Sequence, residues 1–188
     1  LNPREQTYSV PELLAYLDRS GLAFGRWYRQ APYLPQCGAI PDTPHADRLR
    51  ALAPADQFAA MELFRGSMVR HSVVAHRADD PAESWDYGSG GSAWLDAVPI
   101  RLPNTLTVEE RLPEGAAAVL INQSHTYTDL ILPINAAEKQ LVHAIEGRRS
   151  VHSLAELAGL DVDSRDDLRG LIDRLLWYDQ IVLEPAGD

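Results

Sequence analysis

The sequence has very little cysteine: Cys37 is the only one among 188 residues, so no disulfide can form within the chain. Disulfides accumulate in oxidising compartments, and their exclusion favours a reducing, cytoplasmic location. The sequence also lacks a basic segment followed by an apolar run near its start, and any apolar run of the roughly 20 residues that a membrane-spanning helix needs. We therefore expect neither a secretory signal nor a membrane anchor.

Positive charge is also in short supply. The formal net charge is −10, and a field of this sign repels phosphate backbones and anionic lipid surfaces. Acidic side chains also outnumber basic ones in the C-terminal part, residues 135–188. Neither nucleic acid nor a membrane is therefore expected as a partner.

What the sequence does contain is enough apolar material for a folded core. Hydrophobic residues make up 45% of the chain, which suffices for one good core or two small ones. The patterns divide into a first region at 1–78, a linker at 79–93 and an appended region at 94–188. The linker is rich in acidic, glycine and serine residues, and such a composition cannot bury enough apolar surface to order itself.

The first region alternates helix and strand signals. Ser9 and Glu12 form a capping box ahead of an apolar stripe, and Gly21 is placed to end that helix. A strand, a second helix and a valine-rich strand are predicted next, at 23–30, 54–68 and 69–76. This region is predicted to belong to the α/β type.

The appended region begins with short strands and ends with helices. Strands are predicted at 106–108, 117–121 and 130–132. Three helices follow, the first capped by Asn135 with Glu138 and the third by Ser164 with Asp167, and a strand at 181–183 closes the region. Three helices and a terminal strand are the order of a winged-helix fold, although one wing strand is not visible.

Three segments of the first region carry a family resemblance: Tyr8–Leu14, Gly21–Trp27 and His71–His76. They resemble the way bacterial class I S-adenosylmethionine-dependent methyltransferases end. In that family a helix leads to the sixth strand, and a further helix leads to an antiparallel seventh strand beside it. The resemblance covers roughly residues 1–77 and implies the end of a Rossmann-like sheet.

The cofactor-binding part of that family has no counterpart in this sequence. The family binds S-adenosylmethionine through a glycine-rich turn after its first strand, and nothing before Tyr8 supplies one. The only glycine cluster, Gly88–Gly91, follows polar linker residues and not an apolar strand that opens into a helix. That context is typical of a flexible tether. The resemblance thus implies S-adenosylmethionine for a parent enzyme only, with no cofactor-binding residues in this chain.

Four residues in or next to the loop after the first strand are the candidate substrate-binding residues: Trp27, Tyr33, Gln36 and Cys37. The resemblance places substrate-shaping loops there, and loops on a rigid scaffold often carry binding residues. The aromatic rings offer flat apolar faces, and Gln36 offers a donor and an acceptor. The alternative for the aromatic residues is packing, and for Cys37 it is a buried structural thiol.

Two histidines are candidates for acid-base chemistry. His125, Tyr127 and Asp129 alternate along the chain and could form a His–Asp relay or part of a metal site, but a polar loop is the favoured interpretation. His71 follows a helix that carries Glu62 and Arg65, and a surface ion-pair cluster is the favoured interpretation there. No catalytic residue and no metal ligand is assigned.

Together these observations predict an α+β protein: an incomplete Rossmann-like sheet end, a small β region and a winged-helix-like three-helix module. The predicted function is the substrate-shaping or interaction region of a methyltransferase, without catalysis of its own. Its expected partners are its own methyltransferase core or a second copy, and a small-molecule or protein methyl acceptor. The alternative is a free-standing winged-helix-type interaction or regulatory module, and a small hydrolase or metal enzyme is a third option.

Overall fold

The computed structural model describes residues 6–79, 91–159 and 165–185. It has an α+β architecture, with helices and small antiparallel sheets. The chain divides into two compact units, Leu1–Ser84 (unit 1) and Trp85–Asp188 (unit 2). No helix in the described residues is both long and apolar enough to cross a membrane.

Unit 1 pairs two strands and places helices before and between them. Its elements are α1 (Val10–Arg19), β1 (Leu22–Trp27), α2 (Ala46–Arg50), α3 (Pro54–Arg65) and β2 (Val73–Arg77). The strands β1 and β2 are antiparallel, with an irregular register between Phe24 and Arg26. Backbone hydrogen bonds extend the pairing at each end, from Tyr28 N–H to Ser72 and from Ala78 N–H to Gly21.

Local signals explain where the first helix of unit 1 begins and ends. The Glu12 carboxylate accepts hydrogen bonds from the Ser9 backbone N–H and hydroxyl, at 2.8 and 2.7 Å. This ties the residue before α1 to its first turn. Gly21 has a φ of 70°, a conformation that glycine adopts without strain, and the chain turns there into β1.

The core of unit 1 forms around Val10, Trp27 and Tyr33. Val10 comes from α1, Trp27 ends β1, and Tyr33 lies in a 3-10 turn, Ala31–Tyr33, just after the strand. Partly buried residues from both long helices and both strands surround them: Leu13, Leu14, Phe24, Phe58, Ala59, Met68 and Val73. Burial of such large side chains is the main stabilising contribution to a unit of this size.

Unit 2 contains two further antiparallel sheets. Its strands are β3 (Val98–Arg101), β4 (Thr105–Val108), β5 (Ala118–Asn122), β6 (Ile131–Ile134) and β7 (Ile181–Glu184). A three-stranded sheet has the order β4-β5-β6, and β3 pairs with β7 in the register Val98↔Glu184 to Arg101↔Ile181. The middle strand β5 is the most buried of the three, as expected for a strand with neighbours on both sides.

The helices of unit 2 lie between β6 and β7: α4 (Ala136–Ala144), α5 (Val151–Leu157) and α6 (Arg165–Trp177). Asn135 and Glu138 form the predicted capping box of α4. Glycines with positive φ, Gly147 and Gly159, follow α4 and α5. The most deeply buried residues of α6 are Leu171, Ile172 and Leu175, on the stripe that the sequence predicted.

The structure adjusts several predicted boundaries. The strand predicted at 23–30 ends at Trp27, and the one predicted at 69–76 begins at Val73, because pairing between the two stops at Tyr28 and Ser72. The three short strands of unit 2 lie within two residues of their predicted positions. The partner of the terminal strand is β3, which precedes the three-stranded sheet. Ser164 and residues 80–90 of the predicted linker lie outside the described residues.

Candidate functional site

The candidate site of unit 1 is built on a stacked pair of aromatic rings. The rings of Trp27 and Tyr33 lie 4.0 Å apart between centroids and are inclined by 7°. The ring of Phe58 in α3 is nearly perpendicular to the rings of Trp27 and Tyr33, in T-shaped contacts. The indole N–H of Trp27 is buried and has no hydrogen-bond partner among the described residues. The indole and the phenol therefore form a rigid platform inside unit 1.

A line of hydrogen bonds connects this platform to two helices. The Tyr33 hydroxyl lies 2.8 Å from His71 Nδ1, and His71 Nε2 lies 3.1 Å from Glu62 Oε1. The other oxygen of Glu62 accepts from the backbone N–H of Val10 at 2.8 Å. The side chains of His71 and Glu62 are 9% and 19% exposed, so this pair is more shielded than the predicted surface cluster. We call the group Tyr33, His71, Glu62 and Val10 the Tyr33–Val10 relay.

The four predicted substrate-binding residues lie close together in the chain but differ in accessibility. The side chains of Trp27 and Cys37 are fully buried, and Tyr33 is 4% exposed. Gln36 is partly exposed. Cys37 follows the 3-10 turn, and its backbone N–H donates to Leu34. In this conformation the two aromatic residues and Cys37 pack inside the unit, and Gln36 is the one of the four that solvent reaches.

A shallow groove runs along the outer side of α1. It is lined by Gln6, Thr7, Tyr8, Pro11, Glu12, Ala15 and Arg19. Hydrogen bonds from the backbone and hydroxyl of Ser9 hold the pKa of Glu12 below its ordinary value, so this carboxylate is committed to capping. The groove therefore presents Arg19 as its cation and offers no acid-base pair.

Unit 2 contains a second polar cluster, around the turn between α6 and β7. His125 Nε2 lies 3.4 Å from Asp179 Oδ2, and each side chain is 2% exposed. The predicted His–Asp relay involved Asp129, but the carboxylate that the structure pairs with His125 comes from the far end of unit 2. Residues His125 to Asp129 lie in the connection between β5 and β6, but the His125 side chain is buried and does not face solvent.

Asn122 and Gln180 complete this cluster. Asn122 Nδ2 donates to the backbone carbonyl of Asp179, and its Oδ1 accepts from the backbone N–H and the hydroxyl of Ser124. Gln180 Nε2 donates to the Tyr178 carbonyl at 3.0 Å. Asn122, Asp179 and Gln180 are each at most 3% exposed. The Oε1 atom of Gln180 is buried and has no hydrogen-bond partner among the described residues, so one polar group of this junction is unsatisfied.

Two arginines of α6, Arg169 and Arg174, are engaged within unit 2. Arg169 Nε lies 3.3 Å from Asp173 Oδ1, and its guanidinium lies 5.1 Å from the ring centre of Trp94. Arg174 pairs with Glu138 of α4. In the part of the chain that the structure describes, no group of three or more His, Cys, Asp or Glu side chains is placed to hold a metal ion.

Sequence reasoning identified His71 and Glu62 together but missed their link to Tyr33, and it missed Asn122 and Asp179 entirely. The contact between the Tyr33 hydroxyl and His71 follows no helical spacing. Tyr33 follows β1 and His71 precedes β2, so the pairing of these two strands brings the residues together. Asn122 lies at the end of an apolar strand, and that isolated polar position was the one available signal. No family model matches the chain.

Proposed function

We propose that this chain is the C-terminal, substrate-shaping or interaction region of an S-adenosylmethionine-dependent methyltransferase and is not self-sufficient in catalysis. The observation that carries the proposal is the order α1–β1–α2–α3–β2 with β1 and β2 as antiparallel neighbours. The family resemblance implies this relationship for the sixth and seventh strands of a Rossmann-like sheet. The sequence pattern alone does not predict that β1 and β2 are antiparallel, because two strands joined through a helix are often parallel.

The exposed backbone of unit 1 supports the same proposal. In the described residues the β1–β2 sheet has only two strands, so each strand has one side without a strand partner. Two-stranded sheets are marginal alone, and unpaired edges favour pairing with another strand. Val74 of β2 is 49% exposed, and Leu63 and Val69 are 83% and 98% exposed. We assign the unpaired strand edge and these exposed apolar side chains to contact with the parent core or with a second copy of the chain.

The loop after β1 forms the substrate side in this proposal. Trp27, Tyr33 and Cys37 support it from within, and Gln36 faces solvent and presents both a donor and an acceptor. The acceptor of the methyl group is then a small molecule or a protein side chain that carries a nucleophilic atom. In this proposal S-adenosylmethionine binds to the parent core, because the resemblance implies a glycine-rich turn after the family's first strand and does not extend to that part of the family.

Calorimetry with and without that core tests the proposal. The 188-residue chain should show no binding of S-adenosylmethionine at micromolar to millimolar concentrations, whereas the product of the complete reading frame should bind it. Micromolar binding by the chain alone, or an unrelated upstream sequence, would contradict the proposal.

The chain alone should also self-associate in sedimentation experiments, and Val74→Lys should reduce this self-association by placing a charge on the exposed strand. Thr7→Lys, outside the sheet, is the control.

A second candidate function is a free-standing winged-helix-type interaction or regulatory module. It is favoured by unit 2, where three helices are followed by a strand that pairs with β3. The internal pairing of Arg169 and Arg174 supports a protein partner over nucleic acid, since these two guanidinium groups are already bound to carboxylates and are less available for phosphate contacts. This candidate predicts a monodisperse monomer at high concentration, which is the opposite of the expectation above.

A further inference from the structure

The Tyr33–Val10 relay has a definite direction, set by its Val10 end. A backbone N–H can only donate and a carboxylate can only accept. Glu62 Oε2 accepts from Val10, and Oε1 of the same carboxylate can likewise only accept, so His71 Nε2 donates the hydrogen bond to Glu62 Oε1. A neutral imidazole carries one N–H, which leaves His71 Nδ1 as an acceptor. The hydrogen at the 2.8 Å contact with Tyr33 is then supplied by the tyrosine hydroxyl.

We propose that Glu62 is a positioning residue that acts through His71: it selects the Nε2–H tautomer and thereby commits the Tyr33 hydroxyl proton to His71 Nδ1. A Tyr33 side chain held in this way has a fixed ring position, which the stack on Trp27 reinforces. Its hydroxyl oxygen can still accept a hydrogen bond but has no second proton to donate. The role of this arrangement on the substrate side rests on the proposed function.

The positioned tyrosine also fixes the backbone that follows it. Tyr33 ends a 3-10 turn, and the next backbone bonds run from Leu34 N–H to Ala31 and from Cys37 N–H to Leu34. These bonds hold the backbone on either side of Gln36, which is partly exposed. Glu62 thus acts on the loop from α3, through His71 and Tyr33.

The variant Glu62→Gln reverses the direction of the relay. The Gln oxygen must still face the Val10 N–H, so its amide N–H₂ turns towards His71. His71 Nε2 then becomes an acceptor, the ring proton moves to Nδ1, and Tyr33 accepts instead of donating. Merely local packing damage would not produce this exchange of tautomers.

Nitrogen-15 NMR of the imidazole rings in the full chain, at about pH 8.5 where free imidazole is neutral, measures the tautomer directly. We expect the Nε2–H form for His71 in the natural sequence and the Nδ1–H form in Glu62→Gln. Glu110→Gln changes an exposed carboxylate of unit 2 and should leave His71 in the Nε2–H form. An Nδ1–H tautomer in the natural sequence, or an unchanged tautomer in Glu62→Gln, would overturn the proposal.

Amide hydrogen exchange provides the second readout. Tyr33→Phe removes only the hydroxyl and should accelerate exchange of the Leu34 and Cys37 amides by roughly 2- to 10-fold, as expected for one hydrogen bond. Glu62→Ala removes the partner that orients His71 and should accelerate the same amides, whereas Tyr28→Phe, at an exposed position, should not. The Ala78 amide at the other end of the sheet should keep its rate in all three variants. Unchanged rates in Tyr33→Phe would also overturn the proposal.

These measurements need no cofactor and no parent core. The results for the Tyr33–Val10 relay and for the methyltransferase proposal are therefore independent. The tautomer can be as proposed although the complete protein binds no S-adenosylmethionine, and the reverse can also be observed. If Glu62→Gln does not fold, the tautomer in the natural sequence and the exchange rates in Tyr33→Phe still decide the outcome.

Discussion

The buried carboxylate of Asp179 faces His125, with 3.4 Å between Oδ2 and Nε2. Asp179 has a φ of 52°, in the left-handed region that few residues other than glycine adopt. Asn122 holds the backbone carbonyl of the same residue. Side chains from the end of β5 and the loop after it therefore fix an unfavourable backbone conformation at the junction of α6 and β7.

The first prediction separates these two contributions at Asp179. Asp179→Ala should lower the free energy of unfolding by about 3 kcal/mol, because it removes the partner of a buried group and leaves a side chain in the left-handed region. Asp179→Gly removes the same carboxylate but tolerates the backbone, and should be about 1 kcal/mol less destabilising than Asp179→Ala. Urea denaturation followed by circular dichroism measures both. Equal stability of the two variants would show that the backbone contribution is absent.

The second prediction concerns Asn122, whose side chain bonds the backbone carbonyl of Asp179 and the backbone N–H of Ser124. Asn122→Ala leaves the Asp179 carbonyl and the Ser124 N–H without their partner and should lower the free energy of unfolding by about 2–3 kcal/mol. Asn104→Ala is the control, because Asn104 is exposed and contributes a backbone carbonyl to the bond from Gln123, which alanine retains. A loss at Asn122 no larger than that at Asn104 would contradict the assignment.

The third prediction concerns Gly25, at the irregular part of the β1–β2 register. A Cβ at Gly25 would lie 3.0 Å from the backbone oxygen of Val74, which cannot move without disturbing β2. Gly25→Ala should therefore lower the melting temperature of unit 1. The same substitution at Gly170 in α6 meets nothing within 4 Å and should stabilise the helix by about 0.5–1 kcal/mol. Calorimetric scans of both variants should thus move in opposite directions.

The fourth prediction is a dependence on pH at Glu109. A hydrogen bond from Lys139, 2.8 Å away, lowers the pKa of Glu109 from its ordinary value. The stabilisation from this pair is therefore present above the ordinary glutamate pKa and is lost as the pH falls through the lower, folded value. Lys139→Met should raise the pKa of Glu109 in a carbon-13 NMR titration, and Arg149→Met should not. An unchanged titration in Lys139→Met would refute the interaction in solution.

Helix limits were predictable from the sequence because their signals are local. The capping residues Ser9 and Asn135 each meet the glutamate three positions later, as their spacing predicted. Gly21 and Gly147 follow the ends of their helices with positive φ. Such features depend on a few neighbouring residues, so they can be predicted without knowledge of the rest of the fold.

Strand partners were not predictable in the same way. The apolar run at 181–183 identified a strand, but its pairing with Val98–Arg101 depends on how the intervening helices turn back. The limits of β1 also depend on its partner β2, which begins at Val73, so the strand predicted to reach residue 30 is too long. Non-local pairing carries no signature in a single sequence.

The candidate sites divide along the same line. Glu62 and His71 are near in sequence, and their proximity predicts an ion-pair cluster. Tyr33 contacts His71 only when the two strands pair. Likewise, Asp129 was the nearby carboxylate for His125, and the folded chain places Asp179 against it. The residue types were visible in the sequence, but their partners were determined by the fold.

The pairing of β3 with β7 has a consequence for biosynthesis. The ribosome completes β3 at Arg101 long before Ile181, its first partner in β7, is made. At about 5–20 residues per second, the nascent strand waits several seconds for that partner. During this interval the hydrogen-bonding edge of β3 is available to chaperones or to neighbouring nascent chains on the same polysome. The yield of native protein should therefore depend on translation speed across the segment between these two strands.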